Sequence, residues 1–166
     1  MIPPANDIGP SARAQWGVHL HDEAETARLG ARLAACLTPG MRIYLRGALG
    51  SGKTTVVRGL LRALGYPERV KSPTYALVEV YVVSRLHLYH FDFYRFQGPN
   101  DWSDAGLVEY FDGDGVCIVE WPEKAGSEIP PPDLDLALAY AGRGRDAQLR
   151  AISKTGEQCL TRLRSG

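Results

Sequence analysis

The chain has 166 residues, 45% of them hydrophobic, with 19 basic and 19 acidic side chains and no formal net charge. This excludes a disordered chain and a polycationic nucleic-acid or membrane-surface binder, and the length suits one domain that buries its own core without staples. No apolar run approaches the roughly 18 residues of a spanning helix, and residues 1–7 lack the basic-then-apolar order of a signal peptide. Cys36, Cys117 and Cys159 are scattered and form no Cys-x-x-Cys pair. Reduced thiols in a cytoplasmic protein are therefore expected, rather than a disulfide framework or a zinc site. Charge is uneven along the chain: residues 1–91 carry net +5, residues 92–135 net −9 and residues 136–166 net +4. The acidic middle predicts a solvated face, a face for a partner protein, or carboxylates held near a cation.

Residues 1–17 are rich in Pro, Ala and Gly and predict a mobile arm. Asp22 with Glu25 predicts a capping-box helix start, and Leu29, Leu33 and Leu37 mark its apolar face until Pro39-Gly40 stops it. Ile43, Tyr44 and Leu45 form a short apolar stretch that runs into a Gly-rich loop. A second helix follows from Thr54, with Val56, Val57, Leu60, Leu61 and Leu64 as its buried set. Strands are expected over residues 76–83 and 86–91, a helical piece over residues 102–111, and a strand covered on both faces over residues 116–119. Pro130-Pro131-Pro132 is a stiff connector. Leu134, Leu136 and Leu138 alternate as in a strand, and residues 148–152 and 159–163 suggest a strand and a short helix. The pattern is α/β with one sheet. Its boundaries are an arm at 1–17, a domain at 18–142 and a basic segment at 143–166 packed on that domain.

Gly47-Ala48-Leu49-Gly50-Ser51-Gly52-Lys53-Thr54 matches the phosphate-binding pattern G-x-x-x-x-G-K-[ST], between a strand and a helix as that motif requires. The glycines let the main chain wrap a phosphate with its N–H groups inward, and the helix start adds positive potential. Lys53 is then placed for the β- and γ-phosphates and the Thr54 hydroxyl for Mg²⁺. Such a site needs an acid at a nearby strand tip. Two strand-like runs end in one, Asp92 and Glu120, and either suits the ion or its waters. Thr74, in Ser72-Pro73-Thr74-Tyr75, is a hydroxyl on a restrained turn, able to sense a γ-phosphate. His87 and His90 lie three apart in one strand, hence on opposite faces, which argues against a shared metal. His90 shares the face of Asp92, which allows a contact between them, and otherwise reads as a packed or surface histidine. Tyr89, Phe91, Phe93, Tyr94 and Phe96 are expected in the core.

The stretches GALGSGKTT, SPTYALVEVY, LYHFDFYRF, GLVEYF and VCIVEWPEKAG follow one another as in the TsaE family, the bacterial ATPases of tRNA threonylcarbamoyladenosine biosynthesis, formerly called YjeE. The resemblance covers about residues 20–140. It implies a P-loop NTPase-like three-layer α/β fold, whose sheet has a parallel centre with antiparallel strands added. It implies ATP with Mg²⁺ as ligand, ADP as product, and TsaB and TsaD as partners. That assembly attaches threonylcarbamoyl to adenosine 37 of tRNAs reading codons that start with A. The ATPase would reset the complex, with weak activity alone, contact with tRNA only through the complex, and no membrane. By motif position, residues 47–54 and Thr55 hold the nucleotide, with Trp121 close by. Thr54 and Glu120 serve Mg²⁺, and Asp92, Thr74 and Lys53 serve hydrolysis. The chain departs from the family at residues 97–104, where Gly98-Pro99-Asn100 shortens any helix.

A small-molecule or nucleoside kinase would need an acceptor pocket and an Arg-bearing lid, yet residues 70–140 hold only Arg85 and Arg95. A GTPase would need Asn-Lys-x-Asp, which is absent from the chain. A scaffold that binds nucleotide without hydrolysis is a further alternative, against which the presence of Asp92, Glu120 and Thr74 together argues.

Overall fold

A computed structural model describes residues 13–166. Its elements in chain order are β1 (Ala14–Leu20), α1 (Glu23–Ala34), β2 (Arg42–Arg46), α2 (Lys53–Ala63), β3 (Val78–Val83), β4 (Leu86–Asp92), α3 (Asn100–Asp104), β5 (Val116–Glu120), β6 (Leu134–Ala141), β7 (Gly144–Ala151) and α4 (Lys154–Ser165). Short 3-10 turns lie at Val108–Phe111 and Pro122–Glu128. The seven strands form one sheet in the order β1-β7-β6-β2-β5-β4-β3. Its four central strands, β6, β2, β5 and β4, are parallel, and β3, β7 and β1 join antiparallel.

The alternation of side chains along the strands divides the interior into two cores. Ile43, Leu45, Val116, Ile118 and Leu136 face one side, where α1, α2 and α4 pack. Tyr44, Phe91, Cys117 and Val119 face the other, covered by Trp102 of α3 and by Phe93, Phe96, Leu107 and Phe111. The expected mixed α/β arrangement with a single sheet is present. Within the helical layer α1 and α2 meet backbone to backbone. A β-carbon on Gly30 would lie 2.0 Å from the Val56 carbonyl oxygen, and one on Gly59 2.0 Å from that of Ala27. Each glycine thus makes room for the other helix.

Several boundaries differ from the expectations. Residues 1–12 of the expected arm lie outside the described residues. Ala14 to Gly17, however, belong to β1, paired with β7 from Ala14↔Ala151 to Leu20↔Arg145. The alternating Ala14, Trp16, Val18 and Leu20 point inward, a period-two signal diluted by Gly17 and the Pro-rich stretch before it. The boundary at 142 falls in the β6–β7 turn, β7 lies inside the sheet, and α4 packs in the helical layer. The helical piece at 102–111 is two pieces, separated where Gly106 takes φ +70°. Asp22 accepts from the Glu25 N–H, but the Glu25 carboxylate accepts from the His21 N–H instead of closing a full box. All three cysteines are free and buried, and burial pushes the Cys117 thiol up to about 12. Among the described residues no helix is long and apolar enough to cross a membrane.

Candidate nucleotide site

Because β2, β5 and β4 are parallel neighbours, their carboxyl ends share one edge, with Leu45 opposite Glu120 and Glu120 opposite Asp92. Ligands of open α/β sheets bind at that edge. The Gly-rich loop leaves β2 there and enters α2 at Lys53. Gly47, Gly50 and Gly52 have φ of +146°, +75° and +110°. A β-carbon at Gly47 would sit 2.5 Å from both the Leu138 carbonyl oxygen and Ser51 Oγ, so glycine is required there. Gly52 caps α2 without any side-chain hydrogen bond, which leaves the first-turn N–H groups free for an anion.

Lys53 is 5% exposed. Its ammonium donates to the carbonyls of Gly47 at 2.5 Å and Ala48 at 2.9 Å, and lies 4.4 Å over the Trp121 ring. Burial lowers its pKa, against the pull of the Glu120, Asp92 and Glu123 carboxylates. The Thr54 hydroxyl is 3.1 Å from Glu120 Oε2 and 3.3 Å from Oε1. Asp92 Oδ1 accepts from the Tyr94 N–H at 2.9 Å, and Oδ2 lies 3.4 Å from the Thr74 hydroxyl, itself 2.8 Å from Ser72 Oγ. Burial raises the Asp92 pKa. The Tyr94 N–H and the Lys53 charge oppose that, and the Glu120 charge adds to it. Leu49, Lys53, Thr54, Thr74, Asp92, Glu120 and Trp121 line a common cavity of about 210 Å³. Across Gly50, Gly52 and Thr55 it adjoins a second opening of about 590 Å³, bounded by His21, Asp22, Thr26, Arg143 and Arg145.

The structure brings Lys53, Thr54, Thr55, Thr74, Asp92, Glu120 and Trp121 together around one cavity, beneath the loop formed by Gly47, Ala48, Leu49, Gly50, Ser51 and Gly52. Two expectations need correction. His90 does not hydrogen-bond Asp92. Its Nε2 is 2.6 Å from Glu120 Oε2, because the ring reaches diagonally along the shared face to the tip of β5. Tyr94 leaves the aromatic core and lies half exposed against Trp121, ring centroids 5.1 Å apart. The reading from sequence also missed the outer wall of the loop. Arg145 donates to the carbonyls of Ser51 at 3.0 Å and Gly50 at 3.2 Å, and Tyr140 donates to that of Leu49 at 2.8 Å. The Arg145 guanidinium stacks on the Tyr140 ring at 4.2 Å. No local signal marks these two residues, since only the β6–β7 hairpin register aims them.

The family profile described as "Threonylcarbamoyl adenosine biosynthesis protein TsaE" matches residues 20–148. The chain is 35% identical over 148 residues to the Haemophilus influenzae protein named tRNA threonylcarbamoyladenosine biosynthesis protein TsaE, covering 86% of this chain and 94% of that one. It is 41% identical over 120 residues to the same-named protein of Treponema pallidum, covering 72% and 88%. The crystal structure of YdiB from Bacillus subtilis superposes with a TM-score of 0.79 at 31% identity, covering 92% of this chain and 95% of that one. Sequence and fold agree across nearly the whole described chain, and on that agreement it belongs to the TsaE family of tRNA threonylcarbamoyladenosine biosynthesis.

Proposed function

We propose that this chain is a P-loop ATPase that binds ATP with Mg²⁺ and releases ADP and phosphate. The observation that carries this reading is the convergence, on one sheet edge, of the loop and Lys53 with the Thr54–Glu120 and Thr74–Asp92 pairs. The residues present fit the groups. The loop admits no side chain at Gly47, its helix start is uncapped, and a hydroxyl and a carboxylate meet where a hard cation takes oxygen ligands. Thr54 and Glu120 would hold Mg²⁺, which supplies charge neutralisation on the phosphate oxygens when bound.

The chain's own residues supply the rest. Loop N–H groups and Lys53 bind the β- and γ-phosphates in place of the Gly47 and Ala48 carbonyls that Lys53 now meets. The larger opening beside Thr55 adjoins that position and suits the nucleoside. Asp92, its pKa raised by burial, accepts the proton of a water that attacks the γ-phosphorus, while the bond to the ADP oxygen breaks. Thr74 orients that water. Since phosphoryl transfer is largely positioning and electrostatics, this small set suffices. In the pathway of its family, the protein joins TsaB and TsaD in the cytoplasm. Hydrolysis resets their complex between rounds of threonylcarbamoyl transfer to adenosine 37, and tRNA is met only through the complex.

The test is ATP turnover of the purified chain with Mg²⁺ and with EDTA, then with TsaB and TsaD added. Slow Mg²⁺-dependent turnover that rises with the partners is expected. Turnover indifferent to them contradicts the assembly role, and phosphate appearing on an acceptor alcohol instead of in solution contradicts the ATPase.

A further inference from the structure

His90 sits in β4 with no exposed surface and does not line the cavity, so it cannot touch a nucleotide. Its Nε2 is 2.6 Å from Glu120 Oε2. Its Nδ1 is buried and has no hydrogen-bond partner among the described residues. An ionised carboxylate only accepts, so the proton of the short contact belongs to Nε2. An N–H on Nδ1 would be a buried donor without an acceptor, so the ring holds its proton on the Glu120 side. Glu120 Oε2 is then pinned by two donors, the His90 ring and the Thr54 hydroxyl at 3.1 Å. Oε1 meets only that hydroxyl, at 3.3 Å, among the described residues.

We propose that His90, protonated on Nε2, is a positioning residue that fixes the Glu120 carboxylate for the divalent cation accompanying the nucleotide. The proposal rests on the reading of Glu120 as a Mg²⁺ ligand. Donors behind a ligating carboxylate set its orientation, and without them the carboxylate must find its geometry each time a cation arrives. The ring also explains why Glu120 tolerates burial at a strand tip, since its second oxygen is satisfied by the protein before any cation binds.

Three proteins test this: wild type, His90→Gln and His90→Phe. The Gln amide can place an N–H where Nε2 stands, while Phe fills the space without a donor. Binding of a fluorescent ADP is titrated with Mg²⁺ and repeated in EDTA, with thermal midpoints alongside. His90→Phe is expected to need about 10-fold more Mg²⁺ for half of its effect on binding, with affinity in EDTA unchanged. His90→Gln should stay close to wild type. Equal Mg²⁺ requirement in all three, or a Gln variant as poor as the Phe variant, overturns the proposal. Should His90→Phe fail to fold, ¹⁵N-histidine NMR of the wild type decides: a proton on Nε2 supports the proposal and one on Nδ1 overturns it. A wild type whose ADP binding ignores Mg²⁺ overturns the metal reading of Glu120 itself, and this inference with it.

Discussion

The Lys53 ammonium rests 4.4 Å above the indole of Trp121, and Trp121 holds a left-handed backbone, φ +58°, immediately after Glu120. A bulky residue in that region is strained, at a cost of order 1–3 kcal/mol, and persists only where its surroundings hold it. Here the strain turns the chain at the tip of β5 so that the ring roofs the loop lysine while the preceding carboxylate faces Thr54.

Lys53→Met follows from that arrangement. The lysine's pKa is lowered by burial, so the charged form costs folding energy at every pH below its ordinary value, and stability returns as the group loses its proton. The nucleotide-free variant is expected to melt higher than wild type at neutral pH, while ADP affinity falls by at least about 10-fold through loss of charge-assisted bonds. Melting curves and calorimetric titration check both, and a variant that melts lower contradicts the first.

Glu120→Gln keeps the shape at the tip of β5 and removes the charge beside Thr54. Mg²⁺-dependent turnover should fall by about 100-fold or more, since cation binding supplies several kcal/mol of charge stabilisation. ADP binding in EDTA should persist. Full turnover in this variant removes Glu120 from the metal site.

Asp92 carries a raised pKa. Its ionised form therefore destabilises the fold above that raised value, and the cost is relieved as pH falls through it. Asp92→Asn should melt above wild type near neutral pH, with the gap closing toward acid. It should still bind ATP and hydrolyse it at least about 100-fold more slowly, as loss of a general base predicts. A gap that widens on acidification contradicts the electrostatic account.

Gly59→Ala places a methyl 2.0 Å from the Ala27 carbonyl oxygen. Helices α1 and α2 must separate, and overpacking of this kind costs about 1–3 kcal/mol or more. Since α2 begins at the Gly-rich loop proposed to hold the phosphates, ADP affinity should fall together with the melting midpoint. An unperturbed midpoint would show that the helices shift freely.

Arg145→Ala frees the Gly50 and Ser51 carbonyls. Their N–H groups are then held less firmly toward a phosphate, and ADP affinity is expected to drop by about 10-fold, the equivalent of one or two net hydrogen bonds. Arg145→Lys should restore only part, because an ammonium cannot reproduce the planar fork. Equal affinity in Arg145→Ala and wild type shows that the hairpin merely covers the loop.

Much of this site was legible in the chain because its signals are local. A Gly-rich loop spells its geometry in consecutive residues, since glycine readily takes the positive φ found at Gly47, Gly50 and Gly52, and Asp92 and Glu120 announce themselves by closing apolar strands. The α/β class with one sheet and most elements followed from periodicity in the same way. The edge strand β1 carries a weak sequence signal because Gly17 interrupts its alternation, and the helix near Trp102 is shorter than its apolar pattern predicts because Gly106 ends it without breaking that pattern.

What the sequence determined by itself was therefore motif and local form: a Gly-rich loop of phosphate-binding pattern, two strand-end carboxylates, a hydroxyl turn and the family they match in order. Only the tertiary structure decided which groups act on one another. His90 and Glu120 lie 30 residues apart, and Arg145 and Ser51 lie 94 apart. Their meeting depends on strand order and register, which are set by the packing of two cores against one sheet. Local propensity carries no information at that range, because the energy that chooses a neighbour across the sheet comes from burial shared by the whole fold.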